Sequence, residues 1–173
     1  ELGAVSPAVF IPLAEETGRI NAIGNWILRT ACRQATLWQR PGGPAIRVAV
    51  NLSAIQFRNP ALLQTIKDIL KESLLESKCL ELELTEGILM REANNTLDML
   101  HSFKTMGVRM SIDDFGTGYS NLAYLNRFSV DKLKIDQSFV AGLPESRHDA
   151  AIVHAIIHMA HSLGLQVVAE GVE

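Results

Sequence analysis

Met110-Ser111-Ile112-Asp113-Asp114-Phe115-Gly116-Thr117-Gly118-Tyr119-Ser120 is a short apolar run that delivers two adjacent carboxylates into a glycine-bracketed loop. Neighbouring residues on a strand point to opposite faces, so Asp113 and Asp114 cannot both be core packing. An unpaired buried carboxylate costs several kcal/mol. The pair therefore points to a hard cation at a strand end, or to a surface turn, since Asp and Gly are common turn formers.

Other segments end in the same way. Arg47-Val48-Ala49-Val50-Asn51-Leu52-Ser53 places Asn51 after apolar residues. Leu80-Glu81-Leu82-Glu83-Leu84-Thr85-Glu86 alternates strictly, with Glu81, Glu83 and Thr85 on one face. Lys132-Leu133-Lys134-Ile135-Asp136 sets Lys134 opposite Leu133 and Ile135, and Gln166-Val167-Val168-Ala169-Glu170-Gly171-Val172 carries Glu170 inside an apolar run. Five strand-like segments thus each bring an oxygen ligand or a cation to their C-terminal ends. Independent surface turns are not expected to repeat that pattern.

The intervening segments read as helices. Ser6 caps one that opens with Pro7 and stops at Gly18, and Ile20 to Gln39 forms the next, with Ile23, Ile27, Ala31 and Trp38 near one face. Asn59-Pro60 opens another, with Leu63, Ile66, Leu70 and Leu74 at helical spacing. Leu97, Leu100 and Lys104 lie on a helix ending at Gly107, and Ile152, Ala155, Ile156, Met159 and Leu163 on one ending at Gly164. Proline at the start and glycine past the end is the expected polarity. Strands alternating with helices imply an α/β fold with a parallel sheet. Polar residues at its C-terminal edge mark a site at the top of a (β/α) barrel or in a sheet crevice.

At this point the chain resembles the EAL domain family, bacterial phosphodiesterases that open the second messenger cyclic di-GMP. The resemblance rests on Ser6-Pro7 with Phe10 to Gly18, Val50-Asn51-Leu52-Ser53-Ala54 and Glu81 to Glu86. It continues with Asp113 to Ser120, Lys132 to Asp136 and Val168-Ala169-Glu170-Gly171-Val172-Glu173. It implies a partial TIM-type (β/α) barrel lacking its first and last strands. The chain begins at Glu1-Leu2-Gly3, just downstream of the family's Glu-Ala-Leu ligand segment, and stops at Glu173, before the last strands. Residues 1–173 are accordingly expected to be one incomplete EAL domain. Length agrees: such barrels take about 250 residues, and this chain has 173. Ile55-Gln56 stands where the family often has Arg-Gln, which leaves Gln56 as the candidate substrate contact there. Gly87 replaces a common serine with little expected effect.

Asn51, Glu83 and Asp113 offer only oxygen, which favours Mg²⁺ or Mn²⁺ over metals that prefer thiolate or imidazole. By resemblance these three hold one ion with the absent glutamate, and Asp113 bridges to a second ion held by Asp114. Two such ions bind a phosphate oxygen and activate a water for in-line attack. The resemblance makes Lys134 the residue that orients this water, and Glu170 either the acceptor of its proton or a residue that binds through a metal-bound water. It makes Glu86 the tether of the loop containing Gly116, Thr117 and Gly118. The bland alternatives are a structural ion pair for Lys134 and an exposed strand-end acid for Glu86.

Several features read as ordinary. His154, His158 and His161 lie opposite the apolar stripe of their helix, on a solvated face. Trp26 and Trp38 read as helix-packing residues, and Phe115 and Tyr119 as supports of the loop. Cys32 and Cys79 stand in apolar contexts as reduced, buried thiols. Net charge is −3, so there is no basic footprint for DNA or RNA. Hydrophobic content of 47% is ample for a core, and no apolar run approaches the roughly 20 residues of a membrane span.

The function implied is hydrolysis of cyclic di-GMP to the linear dinucleotide pGpG by the complete protein, with the fragment alone inactive. A cyclic di-GMP sensor that does not cleave is the alternative. A glycosidase working with two carboxylates fits poorly beside Lys134. The resemblance further implies a homodimer in the complete domain, attached regulatory domains and a cytoplasmic location, in a protein that can itself be membrane-anchored.

Overall fold

Five parallel strands lie side by side in chain order, β1 (Val48–Asn51), β2 (Leu80–Thr85), β3 (Arg109–Phe115), β4 (Lys132–Ile135) and β5 (Gln166–Ala169). They come from a computed structural model that describes residues 3–90, 93–118, 125, 127–143 and 145–172. Glu1, Leu2, Tyr119, Ser120 and Glu173, named above, lie outside the described residues. All four strand pairings are parallel. A doubly wound sheet reverses its order at a switch point. This one adds every strand on the same side, which is the winding of a (β/α) barrel. Within the described sheet, β1 and β5 are the edges.

Period-two alternation divides the sheet into two chemically different faces. Leu80, Leu82, Leu84, Met110, Ile112, Leu133 and Ile135 are buried on the outer face. The core they join includes Leu28 and Cys32 of α2 (Ile20–Trp38) and Ile66 of α4 (Leu62–Ser73). It also takes Leu100 and Phe103 of α6 (Ala93–Met106) and Ala160 of a late helix over Arg147–Ser162. The opposite, inner face carries Glu81, Glu83, Lys132 and Lys134. Among the described residues no helix is long and apolar enough to cross a membrane.

The helices begin and end near the expected signals, with instructive differences. α1 (Pro7–Glu16) has Pro7 at its first position and Ser6 before it. The helix expected from Asn59-Pro60 starts at Leu62, because Asn59 first forms a turn, its side-chain oxygen accepting from the Ala61 N–H at 3.0 Å. Leu74 is not on its apolar stripe: it caps the helix with φ 57° and is exposed, while Leu75 turns inward.

α2 buries Ile20, Gly24, Leu28, Cys32 and Ala35 rather than the face of Ile23, Ile27 and Trp38. Trp26 and Trp38 are not packing residues; they are 67% and 47% exposed. The small residues decide the orientation. Gly24 lies so close to the Gln56 side chain that a Cβ there would overlap it. The thiols of Cys32 and Cys79 are free and buried, and burial pushes both up, Cys32 to about 11.

Three short helices follow strand ends directly: α3 (Ala54–Phe57), α5 (Glu86–Met90) and α7 (Gln137–Val140); α8 (Arg147–Ser162) precedes β5. Four or five residues carry too little periodicity to be read as helix. The Ser53-Ala54-Ile55-Gln56 pattern is nevertheless a capping-box signature, and Ser53 and Gln56 form that box at α3.

At the opposite end of the sheet from the polar mouth, Asp131 ties three elements together. Its Oδ1 accepts from Lys104 and Arg109, each at 2.7 Å, and its Oδ2 from the Met110 N–H at 3.0 Å. Burial works against the charged form, but these donors outweigh it and hold the carboxyl below the usual carboxylate range. A folded-state pKa below the unfolded one stabilises the fold above the ordinary carboxylate pKa, and that contribution is lost as pH falls through the folded value. Asp131→Asn is therefore expected to cost about 1–3 kcal/mol at neutral pH and to flatten the acid limb of stability. Urea unfolding between about pH 6 and pH 2 checks this; an unchanged acid limb contradicts it.

Candidate active site

Glu83 reaches the inner face from β2, two residues before the strand ends. Asn51, the last residue of β1, is its Cα partner in the ladder, so both sit at the C-terminal edge. Lys134 enters from β4 and Glu170 directly follows β5. The central contribution comes from β3, where the local geometry is unusual.

The β3–β4 register runs Ile112 to Leu133 and then Phe115 to Ile135. Three steps on β3 match two on β4, which is a bulge. Asp114 occupies it with φ 54°, a left-handed conformation that Asp tolerates better than most residues. The bulge cancels the alternation that would separate the two acids. Oxygens of Asp113, Asp114 and Glu170 lie within 4.8 Å of one another. The Asp114 N–H donates to Asp113 Oδ1 at 3.1 Å, and its carbonyl accepts from the Thr117 hydroxyl at 2.9 Å.

Lys134 sits among the acids. Its Nζ is 2.6 Å from Glu170 Oε1, 2.9 Å from Asp113 Oδ1 and 3.0 Å from Glu83 Oε1. Burial disfavours its charge, but the bonds to Glu170, Asp113 and Glu83 prevail and raise its pKa, so the ammonium is fully charged. Glu83 titrates above the usual carboxylate range because it is buried, Asp113 and Glu81 adding to the shift and Lys134 opposing it. Asp114 is raised by burial and then by the charges of Asp113, Asp136 and Glu170. Three carboxylates contact one ammonium and Asp114 stands beside two of them, which leaves excess negative charge, and every donor is oxygen. That chemistry fits a divalent cation of the Mg²⁺ or Mn²⁺ type. Among the described residues, Asp113, Asp114 and Glu170 form the acidic cluster able to share an ion.

Glu86 is buried rather than an exposed strand-end acid, and its Oε2 accepts from the Gly116 N–H at 3.3 Å. Gly118 lies against the same carboxylate. Gly116 has φ 101°, and a Cβ there would stand 2.8 Å from the Phe139 ring of α7. Gly116→Ala is expected to lower the melting temperature and turnover together, because the loop between Glu86 and Phe139 cannot keep its path. A parental melting curve contradicts this.

Gln56 is placed differently from the other candidates. It is buried, its Oε1 accepts from the Ser53 N–H at 3.3 Å, and its own N–H donates to Ser53 Oγ at 3.2 Å. Its side-chain oxygen is thus committed to the α3 cap. His154, His158 and His161 are exposed on α8 and gather no metal cluster among the described residues. Sequence reasoning passed over Asp136. Its carboxylate accepts from the Ser138 N–H at 2.9 Å, capping α7, and it stands beside Asp114. The Asp-Gln-Ser sequence directly after β4 is the signal that could have found it.

The EAL domain family model matches residues 1–173. The chain belongs to the EAL domain family. This EAL domain is 47% identical over 171 residues to the Pseudomonas aeruginosa bifunctional diguanylate cyclase/cyclic di-GMP phosphodiesterase MucR, covering 99% of the chain and 25% of that protein. It is 39% identical over 173 residues to the Escherichia coli cyclic di-GMP phosphodiesterase PdeR, covering 100% of the chain and 26% of that protein. The chain thus spans about a quarter of the length of these relatives. A solved PaMucR phosphodiesterase, c-di-GMP complex superposes with a TM-score of 0.95 at 47% identity, covering 100% of this chain and 70% of that one.

Proposed function

We propose that this EAL domain is the catalytic part of a metal-dependent phosphodiesterase that hydrolyses cyclic di-GMP to linear pGpG. The observation that carries the reading is Lys134, whose ammonium lies within 3.0 Å of Glu83, Asp113 and Glu170 at the mouth of the sheet. Likeness to proteins named cyclic di-GMP phosphodiesterases supports the substrate.

Asn51, Glu83 and Asp113 would hold one divalent ion, and Asp113 with Asp114 a second. When bound, such a pair polarises the phosphate and lowers the pKa of a water. Lys134 orients the attacking water and offsets negative charge that develops on the phosphate. Glu170, already hydrogen-bonded to Lys134, is placed to take the water's proton. Glu86 keeps the loop of Gly116, Thr117 and Gly118 against the site. Among the described residues β1 and β5 are the open edges of the sheet, which makes residues 1–173 alone prone to edge-to-edge association. The complete domain is read as a cytoplasmic homodimer, and the greater length of the relatives supports attached regulatory domains.

The test is product analysis. Full-length protein with Mg²⁺ or Mn²⁺ should convert cyclic di-GMP to pGpG by chromatography, and a chelator should stop it. Tight binding with no cleavage under either metal favours the sensor.

A further inference from the structure

One layer below the site, the inner face carries a second ion pair that the phosphodiesterase reading leaves without a task. Lys132 Nζ lies 2.7 and 2.8 Å from the two carboxylate oxygens of Glu81. Lys132 is on β4 and Glu81 on β2, so the bridge crosses β3. Ser111 is the register partner of Lys132 on β3; it is fully buried, and its hydroxyl has no hydrogen-bond partner among the described residues. A side chain this small leaves room for the crossing. Glu81 is only 4% exposed.

Same-face residues two apart on a parallel strand are about 6.6 Å apart. Glu81 therefore stacks under Glu83, and Lys132 under Lys134. The long stem of Lys134 gives its ammonium a choice between the two acids. It bonds Glu83, and Glu81 already holds both its bonds from Lys132.

We propose that Lys132 is a positioning residue: by pairing Glu81 it keeps Lys134 raised among Glu83, Asp113 and Glu170 and shields the upper acids from one more buried negative charge. This rests on the reading of the upper cluster as a divalent-metal centre. Without Lys132 a buried acid stands unpaired, and the nearest ammonium is drawn to it. Lys134 then descends, and Glu83 and Asp113 lose the cation that competes with a metal. Metal binding tightens while turnover falls. A defect of folding alone would weaken both.

The test is Mn²⁺ titration by calorimetry on full-length protein stripped of metal, with steady-state turnover of cyclic di-GMP alongside. Lys132→Met should bind Mn²⁺ about fivefold more tightly and lose about tenfold in kcat, with KM within about threefold. Glu81→Gln should shift Mn²⁺ affinity the opposite way, because the freed Lys132 then competes for Glu83. The double variant Glu81→Gln/Lys132→Met should return both quantities to within about twofold of the parent. Unchanged or weaker Mn²⁺ binding by Lys132→Met, or a double variant that does not recover, overturns the proposal. A parent that binds no Mn²⁺ overturns the metal-centre reading and this proposal with it; a parent that binds Mn²⁺ as its Lys132→Met variant does overturns this proposal alone.

Discussion

Lys134→Ala in the complete domain should reduce turnover of cyclic di-GMP by ~10²-fold or more while leaving its affinity within about tenfold. The reason lies in what the ammonium touches. It bonds three carboxylates in the resting site, and its proposed work comes later, on the attacking water and on charge that develops in the transition state. Interactions realised only there lower kcat when removed and leave ground-state binding nearly unchanged. Turnover measured with Mg²⁺ or Mn²⁺, with calorimetric affinity for cyclic di-GMP beside it, separates the two quantities. Full turnover by Lys134→Ala would show that the ammonium is a structural counter-ion, whatever the family.

Asp113→Asn should fail in a different way. Asp113 is nearly buried and accepts from both Lys134 and the Asp114 N–H. It is also the residue proposed to serve both ions. The amide keeps an oxygen for the Asp114 N–H, so the bulge and the fold should survive. It removes a full negative charge from the place where a hard cation needs it. Mn²⁺ affinity should fall by about 10-fold or more, and turnover to background, with a near-parental melting curve. Parental Mn²⁺ affinity would remove Asp113 from the ligand set.

The parts legible in the sequence are those set by short-range periodicity. Strict alternation in Leu80 to Thr85 and in Lys132 to Ile135 assigned one face to leucine and isoleucine and the other to acid and lysine. That division is the one found. The convergence of Glu83, Asp113, Lys134 and Glu170 needed only their shared position at strand ends, since parallel strands bring those ends to one edge. Residues whose geometry depends on distant neighbours were hidden. Alternation predicts opposite faces for Asp113 and Asp114, and the bulge that unites them with Glu170 is visible only in the pairing with β4. The buried face of α2 is chosen where Gly24 meets Gln56, far along the chain. The partner of Glu81 could not be named without knowing that β4 lies two strands from β2. Gln56 carried a local signal, the Ser-x-x-Gln capping box, that competed with its reading as a substrate contact.

The most direct test of the central claim, that this strand-end cluster is a two-ion hydrolytic centre, is anomalous diffraction from crystals of the complete domain soaked in Mn²⁺. Two manganese peaks are predicted. One lies between Asn51, Glu83 and Asp113, and the other between Asp113 and Asp114, with Lys134 and Glu170 beside them. Manganese bound elsewhere, with the Lys134 ammonium still filling the space between Glu83 and Asp113 at saturating metal, would contradict it.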